Sequence, residues 1–178
     1  MSDEGASRGA TPPSDDETGE DASSHDRGLD ELRTIADYQF GAGAGAALFP
    51  PGEAIEIRRS SSGRPRQLVA DGNRLVSYGV DGRFTLGIAG GQRLAAAFDA
   101  PRVRVVVGDD SEPFVREGKN AFAKFVSAVD PEIRPGDEVL VVHERDDLLA
   151  VGRAELSAEA MADFESGRAV KVREGVDD

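Results

Sequence analysis

The chain of 178 residues contains no cysteine and no tryptophan. Without cysteine there is no disulfide, no thiolate nucleophile and no Cys-based zinc site. Long apolar runs are missing too. None reaches the roughly 18 residues that a membrane span requires, and no secretory apolar region follows the N-terminus. The expectation is a cytoplasmic protein with no membrane partner. Lysine is almost absent: of 21 basic residues only Lys119, Lys124 and Lys171 are lysines.

Acid is abundant. The 34 acidic residues leave a formal net charge of -13. An acidic surface poor in lysine suits a protein that works in molar salt, where the charge keeps it hydrated. The composition therefore points to the cytoplasm of a halophilic archaeon. Near 1 M salt the Debye length is about 3 Å, so overall repulsion is screened and local contacts decide what binds. The charge is also unevenly spread. Residues 1–28 hold eight acids and two arginines, residues 29–101 hold eight of each sign, and residues 102–178 hold 18 acids and 11 bases.

Met1 to Gly28 is Ser, Asp, Glu, Gly and Pro with little that is apolar. It cannot bury enough surface to offset its ordering entropy, so a disordered acidic tail is expected. His25 within it has no evident partner. Leu29, Leu32, Ile35 and Ala36 then fall at helical spacing. The run Gly41-Ala42-Gly43-Ala44-Gly45 lacks the Lys-Ser/Thr ending of a phosphate loop and reads as close packing at a helix end. After the Leu48–Gly52 break, short alternating segments at 53–59, 66–70, 74–78 and 84–88 are split by Gly- and Asp-marked turns. Residues 29–101 are thus predicted to be a small α+β domain, one helix on an antiparallel sheet.

Within that domain Arg58, Arg59, Arg64 and Arg66 crowd ten residues that hold no acid. Arginine forks match phosphate oxygens, and the intervening Ser/Gly loop lets the backbone come close. This is a candidate nucleic-acid contact. A solvated hairpin tip is the plainer reading.

From Arg102 onward strands and turns alternate again. Arg102 to Val107 reads as a strand with one buried face, and Ser111 as the cap of a short helix that Phe114 and Val115 anchor. Gly118 stops that helix. Ala121 to Val126 alternates as a strand, and Glu138–Glu144 with Leu148–Ala154 reads as a hairpin around Arg145-Asp146-Asp147. Ser157 caps a second helix whose Met161 and Phe164 are expected to point inward. Ala169 to Arg173 is a last strand, with Lys171 and Arg173 outward. The reading for residues 102–175 is a mixed β-barrel with two short helices.

Several stretches now resemble a known family. Ile35-Ala36-Asp37-Tyr38-Gln39-Phe40-Gly41, Leu48-Phe49-Pro50 and Gly63-Arg64-Pro65-Arg66 are similar to the domain that precedes the PUA module in archaeosine tRNA-guanine transglycosylase and archaeosine synthase. Gly118-Lys119-Asn120-Ala121-Phe122-Ala123-Lys124, Pro135-Gly136-Asp137-Glu138-Val139 and Ala150-Val151-Gly152-Arg153-Ala154 resemble the PUA module itself. The likeness covers residues 29–175. The catalytic aspartates of the transglycosylase have no counterpart. What the resemblance implies is non-catalytic binding of structured RNA, tRNA foremost. Three roles stay open: an RNA-binding module acting alone, an RNA-binding subunit of a separate tRNA-modifying enzyme, or a protein-interaction domain without RNA.

The resemblance also implies where RNA would lie: against the first PUA helix, the glycine loop after it, and the last strand. Here Gly118 would let loop amides approach a phosphate, beside Asn120, while Lys119, Lys124, Arg168, Lys171 and Arg173 would neutralise phosphates. All three lysines fall in these elements. Enzymatic readings have little support. His143 is expected to face solvent from a strand, and the scattered carboxylates show no metal spacing, so no cofactor is expected.

Overall fold

The structure, a computed structural model, describes the backbone of residues 16–178 and side chains from Ala22 onward. Helix α1 (Asp16–Phe40) comes first. Leu29, Leu32, Ala36 and Phe40 form its buried stripe at steps of three and four, as the sequence spacing predicts. The helix does not begin at Leu29, however. It runs back through Gly28 to Asp16, so this part of the expected disordered tail is helical; residues 1–15 lie outside the described residues. Gly19 and Gly28 cost the helix about 1 kcal/mol each against alanine. That is too little to break a helix whose C-terminal half is anchored in the core.

Helix α2 (Ala44–Leu48) uses the Gly/Ala run that reads in sequence as a helix end. Strands β1 (Glu56–Arg59), β2 (Pro65–Ala70), β3 (Asn73–Tyr78) and β4 (Phe84–Leu86) then build an antiparallel sheet in sequence order. Helix α3 (Ile88–Ala97) was not visible in the sequence, because Gly90 and Gly91 weaken its pattern. The glycines have a packing reason. A Cβ on Gly91 would stand 2.7 Å from Val151 Cγ1, and one on Gly90 would collide with the Leu75 carbonyl. The helix lies flush between two sheets only because both positions lack a side chain.

The second sheet comprises β5 (Arg104–Val107), β6 (Ala121–Phe122), β7 (Val126–Val129), β8 (Glu138–His143), β9 (Leu148–Ala154) and β10 (Arg168–Gly175). Their order is β6-β10-β9-β8-β5-β7, with β5 and β8 parallel and the other pairs antiparallel. The sheet nearly closes into a barrel, since its two edge strands are joined by one 3₁₀ turn (Ala123–Phe125). The expected continuous strand from Ala121 to Val126 is therefore broken. Helix α4 (Glu112–Arg116) follows β5, and helix α5 (Ala158–Asp163) follows β9. Ser157 caps α5 as predicted, accepting the Ala160 N–H at 3.1 Å.

All six residues of β8 are buried. Val139 and Val141 point into the barrel core, while Leu140 and Val142 join the core of the first sheet together with Val151. One strand with period-two side chains thus belongs to two cores. Polar links add to this junction: Arg74 to Glu174 at 2.9 Å and Arg173 to Glu138 at 2.8 Å.

The strand expected from Arg102 starts only at Arg104, and that arginine does not face outward. Arg104 is 0% exposed. Its guanidinium donates to Asp146 Oδ1 at 2.7 Å and to the carbonyls of Ala95, Phe98 and Arg102 at 2.8, 2.9 and 2.9 Å. A fully satisfied fork is what allows a charge to sit there.

Candidate nucleic-acid interface

The residues on either side of edge strand β6 and its neighbour β10 hold seven of the eleven predicted contacts. Arg168 lies opposite Phe122 and Val170 opposite Ala121, so β6 turns Ala121 into the barrel and Phe122 outward. Asn120 Oδ1 accepts the Val172 N–H at 3.0 Å. Lys119 and Lys171 flank that bond, each adjoining one of its partners. At the other end of β6 the Ala123 N–H donates to the Gly167 carbonyl at 2.9 Å, which brings Lys124 and Arg168 to the same edge. Lys119, Lys124, Arg168 and Lys171 are all exposed. Arg153, which the sequence places in a PUA-like stretch but not among the contacts, stands across from Lys171 on β9 and is also exposed, with a loose pair to Glu155 at 3.5 Å. The sequence signal for a contact there is an outward register on the strand beside β10.

Aromatic rings lie among these cations. Phe122 is 46% exposed. Lys119 Nζ sits 5.5 Å from the Phe114 ring centre and Lys124 Nζ 4.9 Å from that of Phe125. Phe114 and Phe164 were expected to anchor their helices from inside; both are exposed instead, with Val115 and Met161 taking the buried places. Helix α4 is only five residues long and α5 six, so each has room for few inward positions.

Arginine and lysine are used differently. Eleven arginines make ion pairs, whereas Lys119, Lys124 and Lys171 have no carboxylate partner among the described residues. Arg173, which the sequence places in the contact set, is exposed but paired. Its guanidinium is committed to Glu138 and to the Leu86 carbonyl at 2.8 Å, on the side of β10 that meets the first sheet. Arg168 keeps only a loose pair with Glu155 at 3.7 Å.

The glycine loop also differs from expectation. Gly118 has the left-handed φ of 93° that favours glycine. Its amide donates to the Val115 carbonyl at 3.0 Å and the Lys119 amide to the Phe114 carbonyl at 3.0 Å. Both N–H groups are spent on the helix end and offer nothing to a phosphate. A Cβ at Gly118 would meet only the exposed Asp178 carboxylate, at 2.8 Å, which can swing aside, so it is the positive φ at the helix stop that favours glycine here. Asn120 is likewise a strand tie. Of the three loop residues, Lys119 keeps its charged side chain free of any carboxylate among the described residues.

The arginine tip is a β1–β2 turn. Arg58 pairs with Glu56 at 3.2 Å, Arg59 donates to the Gly63 carbonyl at 2.9 Å, and Arg64 bonds the Gly79 carbonyl while its carbon stands 5.4 Å from the Tyr78 ring centre. Arg64 is half-buried and structural. Arg58, Arg59 and Arg66 are exposed.

His143 does not face solvent. Its side chain is 8% exposed, and Nε2 lies 2.6 Å from Asp109 Oδ1 and 3.7 Å from Glu112 Oε2. These three groups come within 4.8 Å of one another, a grouping the linear sequence gave no hint of. Their hydrogen bonds describe a tie. The Arg145 N–H donates to His143 Nδ1 at 3.1 Å, so in the neutral ring the proton sits on Nε2 and points at Asp109. A metal ion at Nε2 would need that position deprotonated. Glu112 is taken by the Arg145 guanidinium, whose hydrogen bond holds its carboxyl below the usual range against a smaller opposing effect of burial. Arg145 is raised in turn by Glu112 first and Asp147 second. Arg145 thus ties the turn after β8 to helix α4.

A nearly closed six-stranded barrel, joined through a shared strand to a small α+β domain and carrying free lysines along its β6–β10 edge, defines the class: a PUA-type chain with a second domain before the barrel. Residues 103–176 match the PUA domain, and residues 30–101 match the patch-forming domain C2 of tRNA-guanine transglycosylase. The chain carries these two domains together, as in the C-terminal region of archaeal tRNA-guanine(15) transglycosylase.

It is 49% identical over 146 residues to that enzyme of Pyrococcus abyssi, covering 82% of this chain and 24% of the enzyme. The enzyme of Methanothermobacter thermautotrophicus is 47% identical over 149 residues, covering 83% of this chain and 22% of the enzyme. The chain thus spans about a quarter of these relatives' length. Among solved structures, a hypothetical protein of Pyrococcus horikoshii has TM-score 0.68 at 21% identity, over 84% of this chain and 90% of that one. A conserved PUA domain protein of Thermoplasma acidophilum has TM-score 0.62 at 22% identity, over 84% and 91%. At these identities the likeness concerns the fold. The sequence-predicted α+β architecture with a PUA-like barrel stands.

Proposed function

We propose that this chain is a non-catalytic RNA-binding protein that takes structured RNA, tRNA first, along the β6–β10 edge of its barrel. The observation that carries the reading is the division of its cations. Arginine is largely consumed in ion pairs, while all three lysines are exposed, free of carboxylates among the described residues, and grouped on one edge. In a chain of net charge -13 such a group is where a polyanion can approach. Lys119, Lys124, Lys171, Arg168 and Arg153 would contact phosphates, which position RNA without reading its sequence. Exposed Phe122 gives a splayed base a surface to stack on. Arg58, Arg59 and Arg66 form a second contact on the first domain.

The non-enzymatic reading rests on the two matched domains and on His143, whose neighbours engage it in a structural tie. The likeness to a tRNA-modifying enzyme supports a second role, that of an RNA-binding subunit joined to a separate modifying enzyme. Stoichiometric co-purification with such an enzyme at molar KCl would distinguish the two. The acidic composition supports a cytoplasmic setting in a halophile, so binding belongs in high salt. The direct test titrates a fluorescent tRNA transcript with the folded chain at rising KCl. Affinity should fall linearly in log–log form, with a slope of about 0.7 to 0.9 per phosphate neutralised. No affinity at any salt where the chain is folded would sink the reading and leave a protein-interaction role.

A further inference from the structure

Helix α4 borders the lysine edge, yet little apolar surface holds it. It has five residues, and of these only Val115 is buried. Its N-cap residue Ser111 makes no side-chain cap. Burying one valine contributes about 1.5 to 3 kcal/mol, less than the ordering cost of the ten residues from Gly108 to Glu117. Something else must fix this segment.

Polar ties do so at both ends. At the start, Asp109 and Glu112 reach across to the end of β8 and the turn after it, Asp109 to His143 and Glu112 to Arg145. At the finish, Arg116 pairs with Asp177 at 2.9 Å, and the Arg116 carbonyl accepts the Asp177 N–H at 2.9 Å. The tie at the start is the more built of the two. The imidazole is buried, its tautomer is set by the Arg145 amide, and its one remaining N–H has a single acceptor within 2.6 Å. Asp109, by contrast, is 88% exposed and belongs to a loop with no other inward side chain before Ser111.

We propose that His143 and Arg145, neither of which lies on the β6–β10 edge, are positioning residues for RNA binding: they buckle α4 to the barrel and so fix the Phe114–Lys119 side of the contact edge. The role rests on the RNA-binding reading above. The chain of position is short. Lys119 follows α4 by two residues, its amide is bonded to the Phe114 carbonyl, and its ammonium lies over the Phe114 ring. If the start of α4 swings away, Lys119 loses its place while Lys124 and Lys171 keep theirs.

The test compares tRNA affinity and amide hydrogen exchange for the full chain and its variants, at a KCl concentration where all are folded. His143→Ala should weaken tRNA binding about tenfold and raise exchange in residues 109–119, with strands β8 and β9 still protected. His143→Gln places an N–H donor near the Nε2 position and should restore most of both. Asp109→Ala removes the same contact from an exposed position, opens no cavity, and should reproduce the loss should His143→Ala fail to fold. Combining Asp109→Ala with His143→Ala should add little to either alone.

Parent-like affinity in folded Asp109→Ala or His143→Ala overturns the positioning role while leaving the RNA reading intact. Equal loss in His143→Gln and His143→Ala also overturns it, since packing rather than the donor would then matter. A parent that binds no tRNA overturns the RNA reading itself, and the positioning role falls with it.

Discussion

Arg173 and Glu138 meet 2.8 Å apart where the last barrel strand passes the first sheet, and both are bonded to the backbone of Leu86. The Glu138 side chain is 5% exposed, so its charge is tolerable only because Arg173 and the Leu86 N–H surround it. Arg173→Ala should therefore lower unfolding free energy by about 3 kcal/mol or more, the usual cost of stranding a buried charge. Where folded, it should leave the salt dependence of tRNA binding unchanged, whereas Lys171→Ala should reduce the log–log slope by about 0.7 to 0.9. Denaturant titration and salt-series binding check the two halves. A reduced slope in Arg173→Ala would return this residue to the contact edge.

Arg104 gives a second expectation. Its fork satisfies three carbonyls and the Asp146 carboxylate from a fully buried position. Arg104→Met keeps much of the volume but strands those acceptors, at a cost of about 3 kcal/mol or more. The urea midpoint measures it; a shift worth less than about 1 kcal/mol would show that the acceptors find water instead.

Acid should loosen α4 before it unfolds the barrel. Arg145 holds the Glu112 carboxyl below its ordinary value of 4.5, so the ionised pair stabilises the fold above that value and its contribution is lost as pH falls through the depressed one. Thermal midpoints followed from about pH 6 to about pH 3 should show part of the parent's decline missing in Glu112→Gln. Identical pH profiles would mean that Glu112 gains nothing from Arg145.

Removing residues 1–28 should change the unfolding midpoint by less than about 3 °C. Among side chains 22–28 none is fully buried, and among the described residues the core starts at Leu29. Heating scans of the two lengths decide it, and a larger fall would mean that this segment packs on the body.

Much of the fold was legible because it depends on local pattern. The stripe Leu29, Leu32, Ala36, Phe40 and the alternation in β10 follow from periods of 3.6 and 2. The turns were marked by Gly, Asp and Pro. What escaped depends on contacts between distant parts. Helix α3 looks poor until Val151 and Leu75 explain its glycines. Arg104, Arg173 and His143 are polar residues on strands, which sequence reasoning sends to solvent; each is buried or committed because a carboxylate or carbonyl from elsewhere meets it. Gly118 was placed at a helix stop correctly, yet its amide is already bonded. The lysines were recognisable by rarity, while their freedom from carboxylates shows only in three dimensions.

The most direct test of the central claim reverses two charges on the β6–β10 edge. Lys119→Glu combined with Lys171→Glu, binding a tRNA transcript at a KCl concentration where the fold is intact by circular dichroism, should lose most of the parent's affinity. The log–log salt slope should also fall by about 1.4 to 1.8 for the two phosphates no longer neutralised. Base preference should hardly change. A folded double variant that binds tRNA with the parent's affinity and the parent's salt slope would contradict the account.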